Sequence, residues 1–302
     1  INLVTKDFPD RFTFQWNSSF GFNDQASFNK DFLSYEGGKT DFLGFDDGTR
    51  EVPSSIKDGL ATDIDELAEE SKSFGEGFGL ETKSPMMNQF HSVAIGNQID
   101  LAGRPFGFVT SLSYQRNFNY FNDGVTGRYN LPGSTSEELN PAYDLRTEKG
   151  TETVLAGANL NMAYKLAPTS KIALNLMYNR SSDKTADFRE GRWSEATFGD
   201  DNIYQTNVLQ YLERSIGSAQ LKGKHTLGKR NIEIEWLSSL AQSTQDEPDL
   251  RYFSRDYIQT GDERVYNINI AAYSAPSRYY RDMKETNWDN KVDVKIPFTS
   301  KG

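Results

Sequence analysis

Alternation of apolar and polar residues over about ten positions, repeated along the chain and joined in pairs by very short turns, is the feature that most limits what this sequence can fold into. Alternation with period two puts all apolar side chains of a segment on one face of a strand. Residues 11–22 show it: Phe12, Phe14, Trp16, Phe20 and Phe22 fall on even positions, and every odd position is polar or glycine. Residues 288–298 repeat it, with Trp288, Val292, Val294, Ile296 and Phe298 opposite Asp289, Lys291, Asp293 and Lys295. One face is greasy and the other carries alternating charge.

Between these ends the pattern predicts strands at 89–99, 106–117, 151–166, 172–178, 206–227 and 232–240. Their apolar rows include Phe106, Phe108, Leu112 and Tyr114, then Leu160, Met162 and Tyr164, then Ile172, Leu174 and Leu176. Ile234, Trp236 and Leu240 stand opposite Glu233 and Glu235. Tight turns are predicted at 100–105, 167–170 and 228–231. Long polar, aromatic-rich loops are predicted at 23–85, 118–150, 181–204 and 243–281, all following odd-numbered strands. Within the first of them, residues 61–73 carry a helical signal with Asp63 as the N-cap.

The fold class expected is all-β: a transmembrane antiparallel β-barrel, of which residues 11–302 supply about eight strands with long extracellular loops. Short turns on one side and long loops on the other are the build of an outer-membrane barrel. Phe12 and Phe22 are ten residues apart, as are Trp288 and Phe298. At ~3.3 Å per residue and a tilt near 45°, that is roughly 23 Å along the membrane normal, close to the apolar band of such barrels with its aromatic girdles. A soluble, carbohydrate-binding β-sandwich is the rival for alternating strands, and a passive porin or a small structural barrel is another.

Composition narrows the classes further. Aromatic residues make up 13% of the 302 residues, which excludes disorder of the whole chain. No apolar run is long enough for a membrane helix. The net charge of -10 argues against nucleic acid as a partner. With no cysteine there is no disulfide and no thiolate metal site.

No catalytic set, cofactor site or metal site is expected, and the chain is not read as an enzyme. His91 and His225 lie on separate strands with no metalloprotease spacing. Gly38-Lys39-Thr40 lacks the first glycine of a phosphate loop, because Leu33 stands there. The Gly75, Gly77, Gly79 series lacks the dinucleotide spacing. Asp46-Asp47-Gly48 has oxygens for a cation, but not in an EF-hand loop, and a solvated turn is expected. Contact with a solute is expected instead in the loops, where stacking faces and a cation occur together. Tyr120, Phe121 and Tyr129 are the candidates in the second loop, and Tyr252, Phe253, Arg255 and Tyr257 in the fourth.

The opening Ile1-Asn2-Leu3-Val4-Thr5-Lys6 followed by Asp7-Phe8-Pro9 resembles the point where the plug of a TonB-dependent outer-membrane receptor, in its Bacteroidetes form, hands over to the first barrel strand. Tyr35-Glu36-Gly37-Gly38-Lys39 and Gly44-Phe45-Asp46-Asp47-Gly48 look like the first outer loop of such receptors, and Tyr279-Tyr280-Arg281 is similar but less specific. The resemblance spans the segment as a pattern and has its motifs before Arg50. It implies a plugged barrel of about 22 strands in the outer membrane of a Gram-negative bacterium. It also implies residues 1–10 as the end of the plug, and active uptake of a siderophore, glycan or peptide driven by the TonB complex. A surface lipoprotein is a further partner it suggests, beside the lipid bilayer. Ile1 at the start and Thr299-Ser300-Lys301-Gly302 at the end fit a segment of a longer chain.

Overall fold

The computed structural model describes residues 9–57, 59–74, 77–197, 201–272 and 276–298. The expected strand at 2–6, most of the proposed plug end at 1–10, and the last turn at 299–302 lie outside the described residues.

The chain forms a meander of long antiparallel strands. They are β1 (Thr13–Gly21), β4 (Asn88–Leu101), β5 (Arg104–Asn130), β6 (Asn140–Ala167), β7 (Ser170–Trp193), β8 (Ile203–Leu227), β9 (Ile232–Thr260), β10 (Glu263–Ile268) and β11 (Ser277–Lys295). The sheet runs β1-β4-β5-β6-β7-β8-β9 in order. β10 and β11 both pair with β9. The sheet is open, since β1 pairs with β4 and β11 with β9, and no pairing joins β1 to β11 among the described residues.

Three tight turns sit at one end. Ala102 and Gly103, both at positive φ, make the two-residue turn between β4 and β5, the backbone that matches strand twist in a hairpin. Pro168 and Thr169 join β6 to β7, and residues 228–231 join β8 to β9. The expected turns stand. At the other end the expectation needs correction. The segments 118–150, 181–204 and 243–281 are not loops. β5, β6, β7, β8 and β9 continue through them, reaching 24 to 29 residues each. The connections that remain there, besides the one between β1 and β4, are those between β5 and β6, β7 and β8, and β10 and β11, together with a two-residue turn, Gly261-Asp262, between β9 and β10.

Register aligns the apolar rows of different strands on one face. Phe14 pairs with Ile95, which continues through Thr110, Leu160, Leu176, Ala219 and Leu240 to Trp288. The next row up is Trp16, Val93, Leu112, Ala158, Tyr178, Gly217, Gln242 and Thr286. Many of these side chains are bare: Trp16 is 69% exposed and Trp288 72%. The opposite face carries Ser111, Asn161, Asn175, Gln220, Ser239 and Asp289, so it is small and polar. Charged rows cross it near the turns, where Lys224 pairs with Glu235 at 2.7 Å and Lys291 with Asp293 at 2.8 Å.

This polar face is concave. Phe90 of β4 and Met283 of β11 line one cavity together with residues of every strand between them. Seven strands laid flat would span roughly 29 Å at ~4.8 Å per step, so the sheet must curl for its two sides to meet around one cavity.

Residues 22–87 form an excursion that packs on the apolar-bearing, convex face, above the bare rows. It contains a small sheet of β2 (Phe32–Ser34) and β3 (Glu81–Lys83), short 3-10 turns at Asp41–Leu43 and Ser54–Ile56, and helix α1 (Ile64–Lys72). Asp63 caps α1 as expected, accepting from the N–H groups of Asp65 and Glu66. The buried core lies between this excursion and the strand extensions: Phe32, Leu33 and Tyr35 against Phe118, Tyr120, Ala186 and Leu209.

Candidate functional site

The seven candidate contact residues all lie on strands, in two groups. Tyr120, Phe121 and Tyr129 are on β5, and Tyr252, Phe253, Arg255 and Tyr257 on β9. Three strands separate β5 from β9, so the groups do not make one site.

Alternation splits each group further. Tyr120 is buried, with its ring 5.8 Å from Phe32 and its hydroxyl donating to Glu148 at 2.8 Å. It is part of the core under the excursion. Phe121 and Tyr129 are exposed. Phe253 is absorbed by the excursion too, 5.9 Å from Phe78. Tyr252 points to the other face, edge-on to Tyr279.

Only Arg255 and Tyr257 are brought together, and β10 supplies two partners that the sequence reading missed. Arg255 lies over Tyr266 at 4.5 Å and Arg264 over Tyr257 at 4.7 Å, with the two tyrosine rings 5.3 Å apart. Register explains the set, because Tyr266 stands directly opposite Tyr257. Interleaved guanidinium and phenol faces hold one another by cation–π attraction. The stack sits beside the Gly261-Asp262 turn, at the end of the sheet opposite the other three tight turns.

The excursion is fastened to the sheet by buried charge. Arg50 is 1% exposed and grips Asp41 through two bonds, 2.7 and 2.9 Å long, and Asp46 through a third of 2.7 Å. Its guanidinium lies 4.1 Å from the Tyr211 ring of β8. Lys184 of β7 adds an ion pair to Asp41 at 3.0 Å. Arg180 of β7 donates to the Gly44 carbonyl at 2.7 Å and covers Phe45 at 3.9 Å. A second clamp joins Lys83 of β3 and Arg116 of β5 to one carboxylate, Glu152 of β6. Burial works to raise both carboxyl groups, but their cations win: Arg50 and Lys184 hold Asp41, and Lys83 and Arg116 hold Glu152, below the ordinary carboxylate range.

The oxygens of Asp46 and Asp47 are used inside the same loop. Asp46 accepts from Arg50 and from the Gly48 N–H. Asp47 accepts from Thr49 and from the Lys39 N–H, and these bonds pull its pKa down to about 2. The turn is built from its own hydrogen bonds, as an Asx turn is. His91 and His225 stand on β4 and β8 as expected. His91 lies 3.0 Å from the Ser18 hydroxyl, and His225 accepts from the Trp236 indole at 3.0 Å.

The concave cavity is about 520 Å³, the size of a small-ligand site. Phe90, Leu155, Ile216 and Met283 give it apolar walls, and Asn179, Arg214 and Gln245 supply polar groups. None of these was marked by the sequence, because they come from six strands and share no motif.

No protein-family model matches this chain, and no curated protein or solved structure matches it.

Proposed function

We propose that this chain is a transmembrane part of an outer-membrane β-barrel whose apolar rows face lipid and whose concave face lines the lumen. The observation that carries the reading is the bare apolar belt on the convex side, running from Phe14 and Trp16 on one edge to Trp288, Val292 and Val294 on the other. Monomeric soluble proteins rarely leave so large an apolar patch in water. In a bilayer the belt is solvated, and the antiparallel ladder satisfies the backbone groups that lipid cannot. The soluble sandwich fares worse, since a second sheet would cover this face, and the only other sheet among the described residues is the two-stranded β2–β3 pair above it. A small, self-closed barrel would have β1 paired with the last strand, whereas among the described residues no pairing joins the two edges.

Within that reading we favour active transport driven through TonB, with the open sheet completed by further strands and the lumen filled by a plug. The support is the resemblance of residues 1–9 and 35–48 together with a polar, cavity-bearing concave face. The solute would pass along the concave face and its cavity; the Arg255, Tyr257, Arg264 and Tyr266 stack stands on the other face, with Tyr257 buried. The chain's part is binding and passage, with no bond chemistry assigned.

Fractionation of the parent protein by detergent extraction, with intact mass on the same sample, tests the membrane reading. An outer-membrane species much heavier than 34.2 kDa is the expected result. A water-soluble species of the chain's own mass would overturn it. Solute uptake that persists without TonB would leave the barrel and remove the active mechanism, in favour of a passive pore.

A further inference from the structure

The excursion carries an apolar tip at the upper edge of the belt. Phe42, Leu43 and Phe45 are 47%, 42% and 41% exposed, although the loop that bears them is fastened to the sheet by buried charge. The tip's backbone is fixed at three points. The Phe42 carbonyl accepts from the Tyr114 hydroxyl of β5 at 2.5 Å, the Gly44 carbonyl accepts from Arg180 of β7 at 2.7 Å, and Gly44 lies against Val154 of β6. Gly44 is at φ 80°, which suits glycine and ends the short helical turn so that Leu43 and Phe45 flank it.

Register fixes where these points lie. Tyr114 and Arg180 share one row of the convex face, and Leu112, Ala158 and Tyr178 form the next row toward the tight turns. Leu112 and Tyr178 are themselves exposed, and belong to the belt. The tip therefore extends the belt's apolar surface outward from the wall, at the level where the wall turns from apolar to charged. Above the tip, on the same strands, come Arg116, Glu152 and Lys184.

We propose that Phe42, Leu43 and Phe45 form an interfacial anchor that inserts into the outer leaflet beside the wall and ties the whole excursion to the membrane surface. Aromatic and aliphatic side chains held at the boundary between apolar core and headgroups are stabilised there, with polar neighbours left in water. Directly after the tip, the Asp46 N–H donates to Glu213 of β8, one row farther from the tight turns than Tyr114 and Arg180. The occupant is lipid because the tip is continuous with the belt, and the anchor rests on the membrane reading of that belt.

These 302 residues hold no cysteine, so once any cysteine elsewhere in the full-length protein is replaced by serine, single cysteines can carry a bimane label without background. We would place one each at Leu43, Leu112 and Ile64 in the full-length protein, in vesicles of phosphatidylcholine brominated on its acyl chains. Ile64 on α1 is 81% exposed and serves as the aqueous reference. The expected result is loss of fluorescence at Leu43 within about twofold of that at Leu112, as for a group at the membrane interface, with Ile64 unquenched. Quenching at Leu112 with Leu43 no different from Ile64 would overturn the anchor and leave the membrane reading standing. No quenching at Leu112 would overturn both. A label at Phe42 repeats the test if the Leu43→Cys variant fails to hold the excursion in place, judged by its protease resistance.

Discussion

Phe20 and Asp282 share one row of the sheet although they stand on its opposite edges. The row runs Phe20, Gln89, Arg116, Val154, Ser182, Glu213, Asp246, Asp282. At β1 it is still aromatic, and at β11 it is charged. From Asp282 toward the tight turns, the first aromatic of β11 on that face is Trp288, whose row meets β1 at Phe14. The belt thus climbs six residues across seven strand steps, from Phe14 to Phe20 or from Trp288 to Asp282. At ~3.3 Å per residue and ~4.8 Å per strand, the slope is roughly 30°. A level membrane band drawn across tilted strands has such a slope, and barrel strands tilt by about 35–45°.

The slope yields a test that a belt following the rows would fail. Trp16 and Thr286 share a row, yet Trp16 falls inside the sloping belt and Thr286 above it. Trp16→Lys is expected to cost at least about 1 kcal/mol more than Thr286→Lys, measured by reversible denaturant unfolding in lipid vesicles. Equal costs would argue that the belt is not a membrane band.

Facing is tested at neighbouring positions of β6. Leu160 lies in the belt row and Asn161 on the concave face. Leu160→Arg is expected to lose about 2–4 kcal/mol, the cost of arginine on the lipid face near the bilayer centre. Asn161→Arg, turned toward a wet lumen, is expected to stay within about 0.5 kcal/mol of the parent. A soluble sheet would show no such split in vesicles.

The half of each strand nearer the three tight turns was legible because period-two alternation there is strict, and the turns because Gly103 and Asn231 supply positive φ. The outer half was not. On β9 the convex face holds even residues up to Asp246, opposite Glu213, and odd residues from Arg251 on, opposite Leu209. A bulge around Asp249, at φ 60°, changes the parity between them. A second irregularity between Phe121 and Gly124 does the same on β5. Once parity slips and both faces turn polar, a strand looks like a loop, which is why 118–150 and 243–281 were read so. The candidate residues inherited that error: Tyr120 became core and Phe253 became part of the excursion's seat. The excursion's own seat was illegible for another reason, since Lys184 with Asp41 and Tyr211 with Arg50 are pairings made only by the fold.

The seat of the excursion depends on one close approach. A Cβ on Gly150 of β6 would overlap the Leu33 carbonyl of β2. That neighbour is backbone and cannot swing away. Gly150→Val is expected to lift β2 from the sheet, so that protease cuts the excursion many-fold faster while β5 to β9 stay protected. Asp41→Asn should do the same by a different route, leaving Arg50 buried with one carboxylate partner fewer. Breaking a buried pair costs about 3–5 kcal/mol. Wild-type protease resistance in both variants would show that the clamp and the close approach do not hold the excursion.

Acid should release the excursion before it unfolds the sheet. Asp41 and Glu152 have folded pKa values below the ordinary carboxylate range, held there by Arg50 and Lys184 and by Lys83 and Arg116. A lowered folded pKa means that the stabilisation is complete above the unfolded carboxylate value, about 4, and is lost as pH falls through the folded value. Asp246 works in the opposite sense. Burial, then Glu213 and Asp46, raise its pKa, so its contribution is complete below the unfolded value and is lost as pH rises through the raised one. Between neutrality and pH ~4 the seat is therefore expected to hold or tighten, and below that to open, seen as the onset of cleavage by an acid-active protease within 22–87. Glu152→Gln would weaken the seat at neutral pH and flatten its loss in acid. A release that instead sets in as pH rises above 4 would show that the two clamps do not control the seat.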